Sequence, residues 1–308
     1  MAKITSQNFS NVTMDEWVEE FWEVYRDQDI QRSPAEIWLM AVYDASQAGR
    51  AIREGQISYA VGRVAHAFCW IASFRNRIFK DKEKKYSHLV DERFDALSKI
   101  VWFKYPRTCP ACGKQNCDCP VDRPRFNRDD WKKLRGMNWR KMPQFRGDSL
   151  PMPNTLDDWG TMFRTIYQGA HDTMRFEDIG FHFLEEMGEA SEAIIHLSRP
   201  VLSQEEEKLR IFREQLYAEI ADAISWLFSL VNKIDSSFRN SKEIYDIYKK
   251  HKDVDSPQIS FEWSLTLSQI LWFEYKWKKG DLIVCHKCQE RRCDPEKCFQ
   301  TLEVKEYP

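Results

Sequence analysis

The sequence predicts an all-α protein built as two tandem copies of one four-helix unit. Three observations carry that prediction. Long stretches place apolar residues three and four apart, the spacing of one helical face, and only 11 of 308 residues are glycine. The chain matches itself in four segments that keep the same order, the mark of a duplicated unit. Each copy also closes on a compact group of four cysteines.

The first helix of each copy shows the match best. TMDEWVEEFWEVY (13–25) lies over TLDDWGTMFRTIY (155–167), setting Trp17 on Trp159, Phe21 on Phe163 and Tyr25 on Tyr167. Without a gap, DASQAGRAI (44–52) then falls on EMGEASEAI (186–194). The third segment sets VAHAFCWIASF (64–74) on IADAISWLFSL (220–230), and the fourth sets LSKIVWFKY (97–105) on LSQILWFEY (267–275). The predicted organisation is a first copy over 1–120, a connector over 121–154 and a second copy over 155–308. The connector is rich in Arg, Lys and Pro with little helical periodicity. It reads as an extended segment that packs its cations on an acidic body or touches nucleic acid.

Composition narrows the class. A hydrophobic fraction of 43% and a charged fraction of 31% predict a sizeable core under a solvated surface. The formal net charge of -2 gives no bulk attraction to nucleic acid. No apolar run approaches the roughly 20 residues of a membrane span. The opening MAKITSQNFSNVTMDEW has no apolar signal-peptide core. The expectation is a cytoplasmic protein with no membrane partner.

The second copy carries a concentration of acid that a buried helix should resist. FLEEMGEASEAIIHL (183–197) sets Glu185, Glu186, Glu189 and Glu192 among apolar residues. At about 100° per residue, Phe176, Phe183, Met187, Ala190 and Ile194 share one side, with Glu186 and Glu189 at its edge. In FREQLYAEIADAISWLFSLV (212–231) the stripe is Phe212, Leu216, Ile220, Ala223, Leu227 and Leu230. Glu219 and Asp222 border that stripe, and Trp226 is one turn beyond Asp222. If the two helices pack antiparallel, four carboxylates converge. Like charges raise one another's pKa, so such a set calls for a positive partner, and a hard divalent cation such as magnesium fits oxygen ligands. Taken singly, an acidic pair three residues apart is more often a solvated face. Two such pairs at apolar edges of successive helices point to a site.

Glu186-x-x-Glu189, then about 30 residues, then Glu219-x-x-Asp222 resembles the signature of the MazG-like, all-α nucleoside triphosphate pyrophosphohydrolases, a superfamily that includes the dimeric dUTPases. The resemblance covers roughly 155–235 and extends weakly, through the repeat, to 13–75. It implies that Glu186, Glu189, Glu219 and Asp222 hold Mg2+. It also implies that a nucleoside triphosphate is hydrolysed to the monophosphate and pyrophosphate. Glu185, or Glu192, is a candidate to orient the attacking water. Trp226 and Arg213 are candidates to touch substrate, with Lys208 and Arg210 as further cations; their ordinary readings are core aromatic and solvated helix face. Family members assemble as dimers or dimers of dimers. The fold expected is therefore a tandem pair of MazG-like bundles forming an intramolecular pseudo-dimer, with a further homodimer open. At the matching positions the first copy has Asp44, Gln47, Arg63 and His66, which cannot hold a magnesium cluster. Asp44 and Arg63 are expected to form an ion pair where the metal would sit. The apolar stripe of that copy survives in Val42, Ala45, Ala48 and Ile52.

Eight of the nine cysteines fall into two groups, Cys109, Cys112, Cys117 and Cys119, and Cys285, Cys288, Cys293 and Cys298. Four thiolates at short paired spacings suit tetrahedral, structural Zn2+, with disulfides as the alternative. The C-x-C of the first group is tight for Cys119, and His286 is a substitute ligand in the second. Cys69, at helical spacing in an apolar segment, reads as core. The second group also resembles a zinc knuckle with cysteine for histidine, but lacks the glycine and exposed aromatic of nucleic-acid-binding knuckles. The MazG-like family does not generally carry such groups. The expected function is thus a Mg-dependent pyrophosphohydrolase. Its rivals are a zinc-stabilised adaptor with vestigial carboxylates and a nucleic-acid-binding protein that uses the connector.

Overall fold

The computed structural model describes residues 3–119, 151–198, 206–238, 265–276, 282–295 and 298. The connector expected at 121–154 lies almost wholly outside them. The described residues form eight α-helices: α1 (Met14–Asp29), α2 (Pro34–Arg53), α3 (Ile57–Phe79), α4 (Leu97–Lys104), α5 (Leu156–Thr173), α6 (Phe176–Leu197), α7 (Glu206–Phe238) and α8 (Leu267–Tyr275). There is no strand among them, so the described residues are all-α as expected. Of the described helices, none is long and apolar enough to cross a membrane.

Local chemistry fixes where the helices begin. Thr13 with Glu16 and Ser33 with Glu36 form reciprocal capping boxes, and Pro34 occupies the first turn of α2. Thr155 with Asp158 and Thr266 with Gln269 repeat the device on α5 and α8. Gly55 ends α2 at φ +72°, a left-handed position that suits glycine, and Gln56 N then donates to Ala51 O at 2.8 Å. That turn sends α3 back along α2.

The predicted apolar stripes are interior. Phe183, Met187, Ala190 and Ile194 of α6 are buried, as are Leu216, Ile220, Ala223, Leu227 and Leu230 of α7, while Phe176 and Phe212 lie partly buried against them. In the first copy Ala45, Ala48 and Ile52 are buried and Val42 packs on the same core. Cys69 is buried as expected.

The two copies share one interior. α2 packs on α6, and Trp38 at that contact donates from Nε1 to Met187 O and Ser191 Oγ, both at 3.1 Å. The fourth helices cross over: α4 packs on α7 of the second copy, and α8 on α3 of the first. Equivalent residues make equivalent contacts. Tyr105 meets Phe163 and Tyr167 edge-on at 5.3 and 6.4 Å between ring centroids, and Tyr275 meets Phe21 and Tyr25 edge-on at 5.0 and 6.2 Å. An isolated antiparallel bridge joins Thr13 to Thr155, themselves aligned positions.

Because the halves share a core, they should unfold together. Trp38→Ala should remove about 3–5 kcal/mol by opening a cavity at the α2–α6 contact. Denaturant melts of the full chain should keep a single transition at lower midpoint. Two separated transitions in the unaltered protein would contradict a shared core.

Candidate metal centres

The acidic site sits between α6 and α7, each placing its glutamates beside a buried stripe. Carboxylate oxygens of Glu186, Glu189 and Glu219 come within 4.8 Å of one another, close enough to hold one ion. Asp222 lies outside that trio. Its Oδ1 accepts from Tyr105 Oη at 2.5 Å, and its Oδ2 pairs with Lys104 Nζ, which also donates to Ala218 O at 3.3 Å. Tyr105 and Lys104 both come from the first copy.

A cation therefore stands among the carboxylates: a lysine delivered by the opposite half. Burial alone would lower the pKa of Lys104, but Asp222, Glu219 and Glu186 outweigh it and carry it above the usual value. One lysine does not neutralise four acids. Burial, then Asp222 and Glu219, push Glu186 up to about 10. Burial also lifts Glu219 to about 7 against the pull of Lys104. Glu189 is raised by burial and by Glu185. The trio thus has unmet demand for positive charge, and its oxygen-only donor set fits a hard divalent cation.

Lys104 and Tyr105 are the site residues that the spacing motif does not reveal. A signal exists in the internal match. Lys104 aligns with Glu274 and Asp222 with His66, so acidic and basic residue types are exchanged at both ends of one pair between copies. In the first copy His66 Nε2 meets Glu274 Oε1 at 2.8 Å, the mirror of the Lys104–Asp222 contact. Arg63 Nη1 donates to Asp44 Oδ1 at 2.8 Å and Trp70 Nε1 to Asp44 Oδ2 at 2.9 Å, the ion pair expected there.

The flanking candidates are placed differently. Glu185 is exposed and meets His182 Nδ1 at 3.2 Å, while Glu192 is exposed beside His196 at 3.5 Å. The Trp226 indole is stacked by His182 at 4.6 Å and by Tyr167 at 6.4 Å. Arg213 is directed to the loop after α3, donating to Val90 O at 3.2 Å and to Glu206 at 2.5 Å. Arg210 is tied to Glu207 and Glu214. Lys208 is exposed.

None of the nine cysteines is joined in a disulfide in this structure. In each group the four sulfurs lie within 4.8 Å of one another. Cys293 and Cys298 are 3.2 Å apart and Cys285 and Cys298 3.5 Å, near the roughly 3.8 Å edge of a tetrahedral zinc–thiolate site. The two loops are built alike. Cys109 N donates to Lys114 O at 2.9 Å and Gly113 N to Cys109 O at 2.8 Å. Cys285 N donates to Glu290 O at 3.0 Å and Gln289 N to Cys285 O at 2.9 Å. Gly113 and Gln289 both have positive φ, 71° and 58°. Both groups could bind zinc. His286 turns away, placing Nδ1 3.1 Å from the Tyr25 hydroxyl.

No protein-family model matches the chain, nor does any curated protein or solved structure.

Two outcomes follow from the charges and thiols. The native state holds protons on Glu186, Glu189 and Glu219 that the unfolded chain releases near 4.5, so metal-free stability should fall as pH rises from about 5 to about 8. Millimolar magnesium should raise the melting temperature more at the upper end of that range. Lys104→Met should deepen the loss, by up to about 3 kcal/mol at the upper end, because the half-buried carboxylates lose their cation. Flat pH profiles in both proteins would contradict the charge assignment. Elemental analysis of protein purified without chelator should find two zinc ions per chain, one for each thiol group.

Proposed function

We propose that the chain is a magnesium-dependent nucleoside triphosphate pyrophosphohydrolase of the MazG-like kind, with its working site in the second copy. The observation that supports this most is the convergence of Glu186, Glu189 and Glu219 within 4.8 Å at a half-buried, proton-retaining site. A fold stabilised by helix packing alone has no use for such a trio, since desolvated like charges oppose folding.

In this reading Glu186, Glu189 and Glu219 hold the magnesium, with Asp222 adjacent. Bound there, magnesium would supply positive charge to the triphosphate and acidify a water for in-line attack on phosphorus. The protein's own groups do the rest. Tyr105 fixes the Asp222 carboxyl through its hydroxyl. Lys104 pairs with Asp222 and can turn toward phosphate oxygens once other cations take over the carboxylates. Glu185, exposed at the rim beside His182, or Glu192 would accept a proton from water arriving from solvent. The His182–Trp226 stack gives the rim an aromatic surface against which a base fits by displacing or covering the imidazole.

The first copy supports without reacting. Asp44 pairs with Arg63 and Glu274 meets His66, so the carboxylate cluster of the second copy has no counterpart there.

The test is a panel of ribo- and deoxyribonucleoside triphosphates incubated with magnesium, with products resolved by chromatography. Monophosphate and pyrophosphate should appear in equal amounts. Glu189→Gln should reduce turnover to background without lowering metal-free stability, whereas His66→Gln should keep activity close to that of the unaltered protein. Full activity of Glu189→Gln would remove the acidic site from the reaction. No hydrolysis of any triphosphate would favour the zinc-stabilised adaptor.

A further inference from the structure

Each thiol group is seated on the copy to which it does not belong. Cys117 N donates to Ile166 O of α5 at 2.7 Å, and Cys293 N donates to Val24 O of α1 at 2.6 Å. Ile166 and Val24 are aligned positions. The residue after each is a tyrosine, Tyr167 or Tyr25, and its ring meets the tyrosine that ends the crossing helix, Tyr105 or Tyr275. The first thiol group begins at Cys109, four residues beyond Tyr105. Continuous contact therefore runs from the Cys109 loop through Ile166 and Tyr167 to Tyr105, and from Tyr105 Oη to Asp222.

The two groups are not equivalent in what they hold. The second tail has extra ties to α1 that need no metal: Arg291 pairs with Glu20, Arg292 with Asp27, and Tyr25 Oη lies 3.1 Å from His286. Its His286 ring lies 4.3 Å from that of His66, which meets Glu274. The first tail lies on α5, whose Tyr167 meets Tyr105 on the acidic site. Its crossing helix is short, running only from Leu97 to Lys104, too little to hold a position by its own hydrogen bonds. The chain after it is tied by Arg107 to Pro151 O and by Cys117 to Ile166 O, and a thiolate-bound ion closing the Cys109–Cys119 loop would hold the second tie in place.

We propose that the metal ion bound by Cys109, Cys112, Cys117 and Cys119 is a clamp that fixes Lys104 and Tyr105 on Asp222 of the opposite copy. Lys104 and Tyr105 are then positioning residues for the acidic site, and occupancy of the thiol site governs the site's shape. The clamp concerns Asp222 whatever the site does; only its bearing on catalysis rests on the pyrophosphohydrolase reading.

The test compares Cys112→Ser with its aligned control Cys288→Ser in the full chain. Zinc content, amide hydrogen exchange and Mn2+ binding by electron paramagnetic resonance are measured on each. Both variants should lose one zinc. Cys112→Ser should speed exchange in 97–105 and in 219–226 at least about tenfold, and weaken Mn2+ binding by a similar factor. Cys288→Ser should act on 267–275 and 64–70 and leave 219–226 unchanged. If Cys112→Ser does not fold, zinc stripped from the folded protein by chelator and then restored gives the same readout reversibly. Tyr105→Phe should weaken Mn2+ binding while keeping the zinc and the exchange protection of 97–105. Faster exchange confined to 106–119 would overturn the clamp, as would a purified protein with no metal on its thiols. Exchange changes as expected, with no Mn2+ bound by the unaltered protein, would uphold the clamp and remove the pyrophosphohydrolase reading.

Discussion

The contact between Tyr105, Lys104 and Asp222 carries more of this structure than any other. It joins the end of a short helix in one copy to the centre of a long helix in the other, across a pair of half-buried charges. Buried ion pairs add little net stability, because desolvation offsets most of the attraction. Their value is specificity: a lysine that must end among carboxylates defines where its helix must end. Here that end lies beside three further carboxylates with more negative charge than one lysine can neutralise. The same contact thus fixes the crossing of the halves and shapes the candidate metal site.

The first copy shows what happens when that demand is met from within. Arg63 stands where Glu219 does and pairs with Asp44, while His66 stands where Asp222 does and pairs with Glu274. Acidic and basic residue types are exchanged across the pair while its geometry is kept. Packing around it is kept as well, since Tyr275 meets Phe21 and Tyr25 as Tyr105 meets Phe163 and Tyr167. One scaffold therefore holds two charge sets, one closed on itself and one with a deficit of positive charge.

Much of this is legible in the amino-acid sequence, for physical reasons. Helical periodicity is local, so residue spacing alone reveals the stripes through Phe183, Met187, Ala190 and Ile194 and through Leu216, Ile220 and Ala223. Glutamates beside a stripe must lie at a core edge, which brings Glu186, Glu189 and Glu219 together once α6 and α7 pack. The cysteine groups are compact in sequence and compact in space. What escapes is long-range. Nothing local to Lys104 says that α4 crosses to the other copy, and the paired exchange of residue types with Glu274 gains meaning only with the crossing known. Arg213 escapes for the same reason, since its partner Val90 lies in a loop far away in sequence. Trp226 is on the expected side of its helix, yet a helical wheel cannot show that His182 and Tyr167 stack with it.

The acidic trio of α6 and α7, flanked by Lys104 and Tyr105 from the first copy, should be a cation site. A crystal structure of the full chain grown with Mn2+, with anomalous data at the manganese and zinc edges, tests it most directly. The account predicts manganese among Glu186, Glu189 and Glu219 with Tyr105 still on Asp222, and zinc at both thiol groups. An empty trio, with Lys104 pairing Asp222 unchanged at saturating manganese, would contradict it.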